Sequence, residues 1–108
     1  MAIAVVNDEN FNEQLALGDK VIVKYYADWC GSCKLFAPKF KRLSNDPRFE
    51  GISFFDVNAE KSPEARRKAG VTNLPYFAIF RKGELVDAIA SSKEEAVVEL
   101  IDKLKSLN

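Results

Sequence analysis

Histidine is absent from the 108 residues of this chain. Its absence removes every Cys–His or Ser–His catalytic pair and every His-ligated metal site. Cysteine is nearly as scarce, and two residues cannot close a four-thiolate zinc site within one chain, so no metal site is expected. An excess of charge is missing as well. Sixteen Lys and Arg balance sixteen Asp and Glu, which leaves no global field to hold nucleic acid or an anionic membrane, and neither is expected as a partner. Long apolar runs are also lacking: residues 21–23 and 76–80 fall far below the roughly 20 that a membrane span needs. A soluble chain is the expectation. Residues 1–6 carry no basic segment followed by a long apolar one, the pattern of a secretory signal, and this points to a cytoplasmic location.

What is present is enough for an ordinary core. The chain is 47% hydrophobic with eight Phe, and its length fits one domain over residues 1–108. Residues 2–6 are β-prone and read as an edge strand. Asn7 and Asp8 offer caps to a helix carrying Phe11 and Leu15, which Gly18 stops. Residues 20–27 form a nearly continuous β-branched and aromatic run, the pattern of a strand covered on both faces. From Cys33, the apolar residues Phe36, Ala37, Phe40 and Leu43 recur at helical spacing, with Pro38 expected to kink that helix. Asn45-Asp46-Pro47 breaks it, and residues 52–57 supply a second buried strand. Ser62-Pro63 opens a short helix that Gly70 closes. Residues 76–80 and 84–90 flank Arg81-Lys82-Gly83 as a hairpin, and Ser92 with Glu95 predicts a capping box on a final helix through Val97, Val98, Ile101 and Leu104. The resulting order, β-α-β-α-β-α-β-β-α, is an α/β sandwich with a parallel portion and a terminal hairpin. The phenylalanines lie at core spacing, and Lys61, Arg66, Arg67 and Lys68 read as a solvated helix face.

Chemistry concentrates in Trp29-Cys30-Gly31-Ser32-Cys33-Lys34, just past the carboxyl end of a central strand. A C-x-x-C that opens a helix sets its first sulfur against free backbone N–H groups and the positive end of the helix dipole, which favours the thiolate. One turn later the second sulfur is within reach to close a disulfide. Gly31 and Ser32 make the turn without bulk, and either Ser32 or Cys30 can cap the helix. An inert pair, or half of an intermolecular metal site, is the competing reading of the two cysteines; in a reducing cytosol their spacing favours redox chemistry.

These residues resemble the thioredoxin family, and the resemblance runs over essentially the whole chain. Trp29-Cys30-Gly31-x-Cys33-Lys34 is similar to the family's active-site motif, Tyr25-Tyr26-Ala27-Asp28 to the segment before it, Pro38 to its helix proline, and Arg81-Lys82-Gly83-Glu84 to its hairpin. Leu74-Pro75 matches the family's cis-proline, which faces the disulfide and helps present an extended substrate backbone; an ordinary trans proline at a strand entry is the alternative. The resemblance implies a three-layer α/β/α sandwich with a mixed central sheet. It also implies a monomer that acts on disulfide-containing substrate proteins without a bound cofactor and is restored by a separate thioredoxin reductase.

Three departures stand out. Ser32 replaces the proline usual between the cysteines, which alters the stiffness of the turn. Ser91 stands near a glycine that flanks the family's substrate groove, although the plainer reading is that it and Ser92 merely cap the last helix. Six residues before the first cysteine, where the family has a buried acid facing a lysine, this chain has Lys24 and Asp56, a reversal of sign. Each is the lone charge of its strand, and a charge in a covered strand requires a partner. The two are expected to pair beneath the dithiol with Asp56 as the candidate base for Cys33, unless Lys24 snorkels outward. Trp29 is expected to shield the thiolate and offer partners an apolar contact, with packing on the sheet end as the alternative.

The sequence therefore predicts a thiol–disulfide oxidoreductase that reduces protein disulfides. Cys30, Cys33, Lys24 and Asp56 would carry the chemistry, and Trp29, Gly31, Ser32, Leu74, Pro75 and Ser91 would line the substrate groove. A more oxidising disulfide oxidase or isomerase of the same fold is one rival. A non-enzymatic interaction or chaperone-like module is the other.

Overall fold

The computed structural model describes residues 3–108, so the proposed start of the first strand at Ala2 lies outside the described residues. The elements run β1 (Ile3–Val6), α1 (Phe11–Leu17), β2 (Lys20–Tyr26), α2 (Gly31–Ser44), a 3-10 turn (Pro47–Phe49), β3 (Ser53–Asn58), α3 (Pro63–Ala69), β4 (Tyr76–Arg81), β5 (Glu84–Ala90) and α4 (Glu94–Lys105). They build a five-stranded mixed sheet in the order β1-β3-β2-β4-β5. The strands β1, β3 and β2 are parallel, whereas β4 runs against β2 and β5 against β4.

Strand periodicity decides which helix each side chain meets. Val21, Val23 and Tyr25 of β2 join Phe55 and Val57 of β3 in a core closed by Phe11 and Leu15 of α1 and Ala65 and Ala69 of α3. Ile22 of β2 and Phe54 of β3 face the other way, with Phe36, Phe40 and Leu43 of α2 and Leu100, Ile101 and Leu104 of α4. The result is an α/β/α sandwich of the expected kind. Lys24 and Asp56 share the parity of Ile22 and Phe54, so both belong to the α2 side, where the strand register sets them opposite each other.

Helix starts are where expectation and structure part. Asn10, not Asn7 or Asp8, occupies the cap position of α1 and makes no side-chain cap bond. The Asn7 carboxamide oxygen instead accepts the Glu9 N–H, while Asp8 reaches across the fold to α3. Ser62 sits at the cap position of α3, but its hydroxyl makes no cap bond. The Asp8 carboxylate fills that role, accepting the N–H groups of Glu64 at 3.0 Å and Ala65 at 2.8 Å. The Ser92–Glu95 capping box is not formed either. Lys93 is the cap residue of α4, one position beyond Ser92, because the Ser91 hydroxyl accepts the Lys93 N–H and tightens the turn ahead of the helix. The 3-10 turn follows from Pro47, whose fixed φ suits a first helical position, and from the Asp46 carboxylate, which accepts the Arg48 N–H. Lys82 and Gly83, with φ of 52° and 83°, form the two-residue hairpin turn. Among the described residues, no helix is long and apolar enough to cross a membrane.

Candidate dithiol active site

The carboxyl end of β2 releases the chain into a short loop, and the Cys30 N–H donates to the Ala27 carbonyl at 3.1 Å as the chain turns into α2. Cys30, rather than Ser32, is the cap residue: its sulfur accepts the Cys33 N–H at 3.2 Å. A helix start presents N–H groups without intrahelical partners, so a negative sulfur is favoured there when the pair is reduced. In the structure Cys30 and Cys33 form a disulfide with Cα atoms 5.3 Å apart. The Ser32 hydroxyl lies 3.6 Å from the Cys30 sulfur, a contact that a proline at this position would not make. Both cysteines are buried with Ala27, and Tyr26 and Leu74 pack against them.

The rim comes from distant parts of the chain. Leu74–Pro75 is cis, as the resemblance implied, and precedes β4, whose Tyr76 pairs with Ala90 of β5. That pairing brings Ser91 to the same end of the sheet, where its hydroxyl is engaged by the Lys93 N–H. A Cβ placed on Gly31 would meet nothing within 4 Å, so the helix start is open toward solvent at this point. Trp29 is 67% exposed and does not pack on the sheet end. Its indole N–H donates to the Glu60 carboxylate at 2.7 Å, and Asn58 holds that acid in place by accepting the Glu60 N–H with its side-chain oxygen. The sequence reading did not single out Glu60. Its only signal was its place two residues beyond the end of β3, at the same end of the sheet as the dithiol.

Lys24 and Asp56 meet. Lys24 Nζ stands 3.3 Å from Asp56 Oδ1, with side-chain exposures of 4% and 22%. Lys24 therefore does not snorkel. Its ammonium is flanked by the rings of Phe40 at 5.1 Å and Tyr26 at 5.8 Å. Although Asp56 Oδ1 is buried, it has no aligned hydrogen bond, so the contact with Lys24 is an ion pair without directional satisfaction. Burial pushes the Asp56 carboxyl above the usual carboxylate range, and Lys24 offsets only part of that. Burial also raises the Tyr26 phenol, with Asp56 and then Asp28 adding to the effect. Both members of the pair line a cleft of about 190 Å³ together with Tyr26, Ala27, Asp28, Cys33, Lys34 and Ala37. The second cysteine thus shares a cleft with an ion pair whose lysine is buried and whose acid is half-buried. Arg66, Arg67 and Lys68 lie on α3 away from this cleft, and Arg67 pairs with Glu64.

Comparison with known proteins agrees with this geometry. The family model for thioredoxin matches residues 2–103. A thioredoxin of Staphylococcus haemolyticus is 33% identical over 105 residues, covering 95% of this chain and 98% of that one. Protein disulfide-isomerase A4 of Rattus norvegicus is 35% identical over 99 residues, covering 87% of this chain but only 15% of the longer protein. Among solved structures, that of a ferredoxin:thioredoxin reductase and thioredoxin f2 complex superposes with a TM-score of 0.88 at 25% identity, covering 97% of this chain and 96% of the matched one.

Proposed function

The chain belongs to the thioredoxin family and carries out thiol–disulfide exchange at Cys30 and Cys33, and from that premise we propose that it works as a reductase of protein disulfides. The carrying observation is the Cys30 sulfur at the start of α2, held by the Cys33 N–H. In the proposed cycle the Cys30 thiolate attacks a substrate disulfide, forms a mixed disulfide and expels one substrate thiolate. Cys33 then attacks the Cys30 sulfur, expels the second substrate thiolate and leaves the Cys30–Cys33 disulfide, two electrons having passed to the substrate. Trp29, Gly31, Leu74, Pro75 and Ser91 rim the groove into which the substrate backbone would settle, with Ser32 beside the attacking sulfur.

A separate reductase would return the disulfide to the dithiol. The superposable thioredoxin f2, whose complex contains ferredoxin:thioredoxin reductase, supports that type of partner. A reducing compartment such as the cytoplasm suits a dithiol that must be regenerated. The likeness to protein disulfide-isomerase A4 keeps the oxidising direction as the rival. Insulin-disulfide reduction coupled to a thioredoxin reductase tests the proposal, with Cys30→Ser expected to abolish turnover. The reduction potential separates the directions: thioredoxin itself is the reference case at about −270 mV, against about −120 mV for a strongly oxidising relative. A potential near the latter value with no insulin reduction would overturn the reductase reading.

A further inference from the structure

We propose that the outward face of α2 is a docking surface for acidic segments of disulfide-bearing substrate proteins, with Leu35 as its apolar anchor and Lys34, Lys39 and Lys41 as its cations. This surface selects among the substrates of the reductase reading above, on which the proposal rests. It is distinct from the groove that Trp29, Pro75 and Ser91 rim.

Helical spacing divides α2 into two faces. Cys33, Phe36, Phe40 and Leu43 turn inward and are buried. The rest of the helix carries Lys34, Lys39, Lys41 and Arg42 and no acidic residue, in a chain whose charges balance overall. Local physics accounts for only part of this excess. Lys41 and Arg42 lie in the last turn, where the helix dipole favours cations, and Arg42 pairs with Glu94 of α4 at 3.1 Å. Lys34 lies near the start, where the dipole disfavours a cation, and no acid of the same helix supports it or Lys39. Among the described residues Lys34, Lys39 and Lys41 enter no ion pair, whereas Arg67 of α3 is paired with Glu64 and Lys103 of α4 with Asp87. The acids closest to the helix start are already engaged, Asp56 by Lys24 and Asp28 by Lys61.

Leu35 adds the apolar contact that charge alone lacks. It is 76% exposed and shares a ridge with Gly31 one turn before it and Lys39 one turn after, and the space around Gly31 is open. An apolar side chain thus stands between the dithiol turn and the lysines. At about 1.5 Å per residue the 14-residue helix gives a strip roughly 20 Å long that begins at the turn bearing the sulfurs. A partner whose disulfide has reached Cys30 lies against that turn, and whatever flanks the disulfide on this side meets Leu35 and then the cations. Carboxylates there find unpaired ammonium groups, while a lysine-flanked disulfide is repelled, and charges of this kind act mainly on the rate of encounter. Leu35 among the lysines favours a protein segment over nucleic acid, whose phosphates offer a leucine nothing.

Two synthetic peptides that share one disulfide loop and differ only in flanking runs of Glu or of Lys test the surface, with hydroxyethyl disulfide as the uncharged reference. Stopped-flow fluorescence of Trp29, the one tryptophan of the chain, follows oxidation of the reduced protein by each. At low ionic strength the wild type should react about tenfold faster with the Glu peptide than with the Lys peptide, at the lower edge of electrostatic steering, and added salt should shrink that ratio. Lys39→Gln with Lys41→Gln should bring the ratio toward one, and Lys39→Glu with Lys41→Glu should invert it. Arg66→Glu with Lys68→Glu changes the net charge by the same amount from α3 and should keep the Glu peptide preferred. Leu35→Ala should slow both peptides relative to hydroxyethyl disulfide while preserving their ratio. Equal rates for the two peptides at low salt, with the uncharged disulfide still reacting, overturn the docking surface alone, as does an inversion by the α3 pair as complete as that by the α2 pair. No oxidation by any of the three disulfides overturns the dithiol reading and the proposal with it.

Discussion

At the scale of single residues, the first turn of α2 does most of the chemical work. The Cys30 sulfur accepts the Cys33 N–H, while among the described residues no comparable donor to the Cys33 sulfur is found. Brief treatment of the reduced protein with iodoacetamide should therefore alkylate Cys30 first; peptide mapping that finds Cys33 modified instead would reverse the assignment of nucleophile. Ser32 contributes through its hydroxyl, 3.6 Å from the same sulfur. A hydrogen bond of this kind is worth roughly 0.5 to 1.5 kcal/mol. It favours the thiolate and hence the reduced form. Ser32→Ala should accordingly make the reduction potential more negative by about 10 to 30 mV, using about 30 mV per 1.4 kcal/mol for a two-electron couple, as read by equilibration with glutathione. An unchanged or less negative potential would show that the hydroxyl does not act on the thiolate.

At the scale of elements, most of the fold was legible because periodicity reports burial. Residues 20–27 read as a covered strand, and β2 does pack a core on each face. Lys24 and Asp56 stood out as lone charges within such strands, and their pairing follows from in-register parallel neighbours. Caps were read less well. Asn7, Asp8, Ser62 and Ser92 are all chemically able to cap, but capping depends on where the chain turns, and local sequence cannot report a partner 57 residues away such as Ala65 for Asp8. Glu60 escaped notice for the same reason, since its bond to Trp29 joins two loops. The long-range cap is testable. Asp8→Ala leaves the N–H groups of Glu64 and Ala65 without acceptors and should cost about 0.5 to 2 kcal/mol in urea denaturation, the usual range for a lost helix cap. A midpoint equal to wild type would mean that water replaces the carboxylate at no cost.

At the scale of the whole molecule, the half-buried ion pair of Lys24 and Asp56 ties stability to pH. A Lys24→Met, Asp56→Asn double-mutant cycle should give a coupling of about 0.5 to 3 kcal/mol, beyond the roughly 0.3 to 0.5 within which separate sites add. Lys24→Met leaves Asp56 in its buried setting without the cation. Its folded pKa, already raised by burial, then climbs further above the unfolded value of about 3.9. The stability tied to the protonated carboxyl is present below that unfolded value and lost as pH rises through the folded one. The deficit of Lys24→Met relative to wild type should thus grow from mildly acid to neutral pH and lose that growth in the double variant. A deficit that stays constant with pH would place the cost in packing instead. The same sheet that holds this pair also keeps one end of the molecule clear of chemistry. Because β4 and β5 run against β2, the hairpin turn at Lys82 and Gly83 lies at the far end of the strands from the dithiol. Seven residues at about 3.3 Å each put it roughly 20 Å away. That turn is where a fluorophore, an affinity tag or a surface tether can be attached so that the immobilised protein still presents its sulfurs to large partners.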